Sequence, residues 1–308
     1  MSEQARRLSI WMGQQTKRAA KEVLAERMIG ARVMAITSGK GGVGKSTVTL
    51  NLGLALAMRG QRVLVLDADL GLANINIMLG FEPTNSLWDV VEHRASLRQI
   101  IQEAPGGIRL IPGASGIAAL AELSAPAIER LVEGFSELES ECDWLLIDTG
   151  AGIAPNVLAF VLAADEALVV TNPEPTAMAD AYGLIKSVAE MEHQPSLKLL
   201  VNRVSQRDVG EKMGQRLTQL AERALDCPVE MVGTICDDPH AGRAIVRQTP
   251  LLLAYPKASA SQDFLGFADR LLNRVPPPRR GGWGHFLRRM VKVWPGLHES
   301  EATVTPNG

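Results

Sequence analysis

At 308 residues, 46% hydrophobic and 21% charged, the chain is long enough for one large α/β domain with appendages, and this composition excludes a disordered or collagen-like chain. No apolar run approaches the roughly 18 residues of a membrane-spanning helix, and the early arginines lack the continuous apolar stretch of a secretory signal. The net charge of −2 is unevenly laid out: residues 1–32 and 276–308 are basic, while the body between holds 20 basic and 29 acidic residues, which argues against broad coating of DNA phosphates.

Residues 1–31 are read as a helical extension ahead of the fold, with Ser2-Glu3-Gln4-Ala5-Arg6-Arg7-Leu8 near its start. The first strand is expected at Val33–Thr37. It leads into Gly39, Lys40, Gly41, Gly42, Val43, Gly44, Lys45, Ser46 and Thr47, which fit the phosphate-loop pattern GxxxxGK[ST]. A helix-like segment from Ser46 to Met58 follows. Strand, glycine-rich turn and helix N-terminus together gather backbone N–H groups and the positive end of a helix dipole around a polyphosphate. Lys45 is placed to reach the β- and γ-phosphates, and the Ser46 hydroxyl to bind Mg²⁺. The segment is expected to bind a nucleoside triphosphate.

Further strands are expected at Arg62–Leu66, Ile108–Ile111, Trp144–Ile147, Ala167–Thr171, Leu197–Val201 and Val229–Ile235. Periodic segments such as Ala154–Ala163, Ala177–Glu190 and Val209–Leu225 lie between them. Apolar strands alternating with helices predict an α/β fold: a single P-loop NTPase domain over residues 32–275, its mostly parallel sheet flanked by helices on both faces, with helical N- and C-terminal extensions. Ligands of such sheets sit beyond the carboxyl ends of the strands. The phosphate loop, Asp67 and Asp69, Asp148, and Asn202 all fall at that edge. A Mg²⁺–nucleotide site needs hard oxygen ligands, direct or through water, and Asp67 and Asp148 suit that role. Cys142, Cys227 and Cys236 form no CxxC pair, which points to a reducing compartment and to neither a disulfide framework nor a zinc site.

Pro276-Pro277-Pro278 ends the domain, because three prolines cannot continue a helix. In the tail beyond, Trp283, Phe286, Leu287, Met290 and Trp294 share one helical face, with His285, Arg288, Arg289 and Lys292 opposite. A basic helix with such a face suits the surface of an anionic bilayer. Each basic side chain there is worth roughly 1 kcal/mol, so one tail binds weakly. Two tails on one dimer bind far better. The same stripe is also fit to fold back on the body or to fill a partner's groove.

The string KGGVGKST (Lys40–Thr47) resembles the deviant phosphate loop of the MinD/ParA family of dimerising ATPases. The resemblance implies that Lys40 touches nucleotide in the partner subunit and so couples ATP binding to homodimer formation. Asp67 to Gly80 resembles the first switch of that family, and Asp148 to Gly152 the second. By that likeness Asp69 positions the attacking water, with Lys40 and Lys45 completing the catalytic set. Asn74 becomes a cross-dimer nucleotide contact, and Gly152 gives its backbone N–H to the γ-phosphate. Val201-Asn202-Arg203-Val204 resembles the adenine-recognition element. Asp238 follows Cys236, which stands where relatives have proline, and is read as an adenine-side contact. With no acceptor site for a second substrate in view, slow Mg²⁺-dependent ATP hydrolysis as a switch is the activity implied.

Within the family, Gln4, Ala5, Arg6 and Leu8, together with NINIMLG and VNRV, resemble the flagellar-number regulators of the FlhG (FleN, YlxH) type. Their N-terminal element engages the GTPase FlhF. The resemblance implies a cytoplasmic protein that associates reversibly with the inner membrane and governs flagellum number or placement. It would act through FlhF and, in some relatives, through a flagellar transcription activator, with no direct nucleic-acid contact. A division-site MinD and a DNA-partitioning ParA are the alternatives.

Overall fold

The inner strands of the central sheet are largely apolar on both faces, which is why the sequence shows runs of Val, Leu and Ile rather than alternation. The computed structural model of the chain describes residues 30–69, 75–80, 82–92, 94–113, 125–274 and 282–293. Strands β1 (Arg32–Ser38), β2 (Val63–Ala68), β3 (Gln102–Ala104), β4 (Ile108–Ile111), β5 (Trp144–Ala151), β6 (Glu166–Thr171), β7 (Ser196–Val204) and β8 (Val229–Cys236) form one sheet. Their order is β3-β4-β2-β5-β1-β6-β7-β8, parallel throughout except where β3 pairs with β4. Among the described residues this is the mostly parallel sheet the sequence predicts, with β3 as an addition. Its three residues, Gln-Glu-Ala, carry no apolar alternation to announce a strand.

Helices α1 (Lys45–Ala57), α2 (Ile75–Leu79), α3 (Leu87–Val91), α4 (Leu97–Ile100), α5 (Ala125–Glu139) and α6 (Pro155–Ala163) lie between the earlier strands. Helices α7 (Pro175–Ala189), α8 (Arg207–Leu225), α9 (Pro239–Val246), α10 (Leu251–Ala254), α11 (Ser259–Leu272) and α12 (Gly282–Val293) follow among the described residues. Successive strand residues point to opposite cores. Val33 and Ala35 of β1 face the layer containing Phe135, Phe160 and α12, whereas Met34 and Ile36 face the layer containing α1 and α11. Asp67 lies opposite Asp148 across β2 and β5, and Asp148 opposite Ile36 across β5 and β1. Register alone therefore brings the two carboxylates beside the loop that follows β1.

The C-terminal helix departs from the bilayer-facing expectation. Trp283, Phe286, Leu287 and Met290 are buried against α5 and α6. Trp283 meets Phe135 edge-on, with ring centroids 5.5 Å apart, and Phe286 stacks on Phe160 at 6.3 Å. Arg289 Nε donates to the Ala163 carbonyl at the end of α6 (2.9 Å), and its guanidinium lies 3.6 Å from Asp165. His285 and Arg288 point outward. The physical reason is general: an apolar stripe buries against whatever apolar surface is within reach, and in a single chain in water that surface is the groove between α5 and α6. Trp294 lies outside the described residues. Among the described residues no helix is long and apolar enough to cross a membrane.

Candidate functional site

The loop from Gly39 to Gly44 is shaped by glycine for two separate reasons. A Cβ at Gly39 would sit 2.1 Å from the Asp180 carbonyl oxygen, so this residue lets the loop approach α7. Gly42 (φ 80°) and Gly44 (φ 91°) adopt the left-handed conformation that other residues resist. A Cβ at Gly41 or Gly42 would meet nothing within 4 Å among the described residues, which leaves an open cradle beside the backbone. Gly44 precedes α1 and has no side chain to cap it, so the first N–H groups of the helix are left for an anion.

Beside that cradle stand one cation and three carboxylates. Lys45, 7% exposed, places Nζ 3.0 Å from Asp148 Oδ1 and 3.9 Å from Asp69 Oδ2. Asp148 is wholly buried, and its Oδ2 has no hydrogen-bond partner among the described residues. Asp67 accepts the backbone N–H groups of Asp69 (3.2 Å) and Ile75 (3.3 Å). Burial, then the neighbouring Asp148 charge, pushes the Asp67 carboxyl up to about 7. The orphaned Asp148 oxygen and the open cradle together fit a hydrated Mg²⁺ carried by phosphates. Ser46, Thr47 and Asp69 line the same cleft of about 570 Å³, as do the exposed Ile77 and Ile245.

A second pocket of about 420 Å³ adjoins it, walled by Asn202, Arg203, Cys236, Asp237, Asp238 and Phe264. Asn202 donates its amide N–H to the Val43 carbonyl (2.8 Å), tying this wall to the phosphate loop. Arg203 takes φ 56°, a left-handed conformation that no spacing in the sequence signals. Asp238 is in the wall, and its carboxylate also serves the chain. Oδ1 accepts from the His240 backbone (2.9 Å) and meets the His240 ring (2.8 Å), while Oδ2 accepts from Ala260 (3.3 Å). It caps α9, so both carboxylate oxygens already accept from the chain itself.

Gly152 and Lys40 both find partners within the chain. The Gly152 N–H, read as a donor to a γ-phosphate, donates to the Ser38 carbonyl (2.8 Å), because β1 and β5 remain paired as far as Ser38 and Ala151. Lys40 does not line the phosphate cleft; its Nζ donates to Glu174 Oε2 and Thr176 Oγ1, both at 2.9 Å. Glu174 and Thr176 went unread in the sequence, although they follow β6 at the same sheet edge. Asn74, Gln4, Ala5, Arg6 and Leu8 lie outside the described residues.

Residues 34–251 match the model of the CobQ/CobB/MinD/ParA nucleotide-binding domain. The antiactivator FleN of Pseudomonas aeruginosa is 39% identical over 262 residues, covering 85% of this chain and 94% of that protein. The flagellum site-determining protein YlxH of Helicobacter pylori is 36% identical over 267 residues, covering 85% and 90%. Among solved structures, the septum site-determining protein MinD of Pyrococcus horikoshii, complexed with Mg-ADP, superposes with a TM-score of 0.62 at 26% identity, covering 79% of this chain and 96% of that one. With its phosphate loop, buried lysine and facing carboxylates, the chain belongs to the CobQ/CobB/MinD/ParA family, as an ATP-binding, Mg²⁺-dependent ATPase of the MinD/ParA type.

Proposed function

We propose that this chain is an ATP-operated switch that governs flagellum number or placement. The likeness to FleN and YlxH along 85% of the chain supports the flagellar role. The observation that carries the switch reading is Lys40. It sits inside the phosphate-loop string yet is bound at Glu174 and Thr176, outside the ring of residues lining the cleft. A lysine that its own cleft does not use is available to a second copy.

In this reading Lys45 leaves Asp148 for the phosphates, and Asp69 positions water for attack on the terminal phosphorus. Bound Mg²⁺ supplies charge neutralisation across the phosphate oxygens. Ser46, Asp67 and Asp148 are the residues that would hold it, directly or through water. The amide oxygen of Asn202 suits the amino group of adenine. Two ATP-bound copies would face each other across the cleft edge, where Ile77 and Ile245 are exposed.

Membrane association follows only if α12 leaves the groove between α5 and α6, since the stripe that would enter lipid is buried there. Lipid must then replace the burial of four large apolar side chains, each worth about 1.5–3 kcal/mol. In this reading that balance makes the association reversible. The partners in this reading are an FlhF-type GTPase, engaged by the N-terminal segment, and a flagellar transcription activator.

The test is sedimentation of the full chain with Mg²⁺ and a non-hydrolysable ATP analogue, then co-sedimentation with anionic vesicles and with DNA. A nucleotide-dependent dimer that pellets with vesicles and retains FlhF rather than MinC supports the reading. Single chains at saturating nucleotide overturn the switch, and salt-sensitive retention on DNA turns the assignment toward partitioning.

A further inference from the structure

Helix α1 presents two polar residues to the sheet one turn apart, Lys45 and Thr49, and both reach the same oxygen. Thr49 is fully buried; its hydroxyl lies 2.9 Å from Asp148 Oδ1 and 3.1 Å from the Lys45 carbonyl. A hydroxyl has one proton to give, and the charged carboxylate is the stronger acceptor. Lys45 Nζ shares that oxygen at 3.0 Å, while Oδ2, on the other side of the carboxylate, has no hydrogen-bond partner among the described residues. A bare back-bond to the preceding turn would explain the contact with the Lys45 carbonyl but not the contact with Asp148.

We propose that Thr49 is a positioning residue for magnesium-dependent nucleotide binding: it holds Asp148 Oδ1 so that Oδ2 faces the cation's water. This rests on the reading of Asp148 as a magnesium-side carboxylate. A triphosphate competes with Asp148 for the Lys45 ammonium. Once its ammonium turns to a triphosphate, the Thr49 hydroxyl remains as the side-chain donor on Oδ1. Without it the buried carboxylate is free to rotate, and the approach of Oδ2 is no longer fixed. Groups that orient a metal's partners from behind typically change metal affinity by roughly 10–100-fold when removed.

The experiment measures binding of a fluorescent ATP analogue to the full chain, in EDTA and across a Mg²⁺ titration, for wild type, Thr49→Val, Thr49→Ser and Asp148→Asn. Expected for Thr49→Val is wild-type binding in EDTA with a magnesium midpoint raised roughly ten-fold or more. Thr49→Ser, which keeps the hydroxyl, should restore the midpoint. The proposal is overturned if Thr49→Val keeps the wild-type midpoint, if Thr49→Ser fails to rescue it, or if Thr49→Val weakens binding equally with and without magnesium. Should Thr49→Val not fold, Thr49→Ala takes its place under the same criteria. An Asp148→Asn midpoint equal to wild type would instead sink the reading of Asp148 itself, whatever the Thr49 variants do.

Discussion

The Lys40 ammonium is tied to Glu174 of its own chain at 2.9 Å. Glu174 is itself gripped by Asn172, whose amide nitrogen lies 3.1 Å from Oε1 and whose amide oxygen accepts the Glu174 backbone N–H at 3.2 Å. Lys40, followed by Asn172, holds the Glu174 carboxyl below its ordinary range. Both partners are substantially exposed, so the hold is weak, and a triphosphate offers the ammonium more charge. Lys40→Ala is expected to keep nucleotide affinity and lose self-association in sedimentation with an ATP analogue. Glu174→Gln is expected to lower the nucleotide concentration needed for dimer formation a few-fold, because the lysine loses its charged partner in its own chain.

Asp69 lies within 3.9 Å of Lys45 in the phosphate cleft. Asp69→Ala is expected to retain ATP binding while phosphate release falls by roughly two orders of magnitude. The stalled dimer should accumulate on anionic vesicles. An Asp69→Ala chain that stays monomeric with ATP would remove this residue from the switch.

The nucleotide-free chain should carry a pH signature from Asp67. Its carboxyl is raised to about 7 by burial and by Asp148, against roughly 4 in an unfolded chain. The folded state therefore binds this proton more tightly. The stabilising contribution is complete below about pH 4 and is lost as pH climbs through 7. Asp67→Asn, which mimics the protonated form, should raise the melting temperature more at pH 8 than at pH 5 in calorimetry without nucleotide. Equal gains at both values would show that the carboxyl titrates normally.

Phe160 belongs to the body and Phe286 to the C-terminal helix, so the docking groove can be altered without touching the tail. Phe160→Leu removes the stacked ring and loosens the site that holds α12. Co-sedimentation with anionic vesicles in the absence of ATP should rise, with thermal stability only modestly lowered. Unchanged vesicle binding would mean that docking is not what restrains the tail.

The phosphate loop and the carboxylate ladder were legible because each depends on local order along the chain. The string Gly39–Thr47 carries its own turn chemistry, and Asp67 and Asp148 follow the apolar runs of β2 and β5, which set the register. Long-range pairing was not legible. The amphipathic stripe of Trp283, Phe286, Leu287 and Met290 declares that one face will be buried, yet nothing in its periodicity selects α5 and α6 over lipid. Glu174 was hidden for the same reason: it lies 134 positions from the lysine it holds. Asp238 before Pro239 carries a readable helix-start signal, while its bond to Ala260, from another helix, was not legible.

Helix α6 starts just after Gly152 and ends where Arg289 grips the Ala163 carbonyl, so a rod of about 13 Å joins the loop after Asp148 to the contact that holds α12. Where two sites share one helix, any coupling between them is reciprocal. Any bias that a triphosphate exerts on the setting of this rod comes back, in equal measure, as a bias of the undocked tail on how tightly the triphosphate is kept.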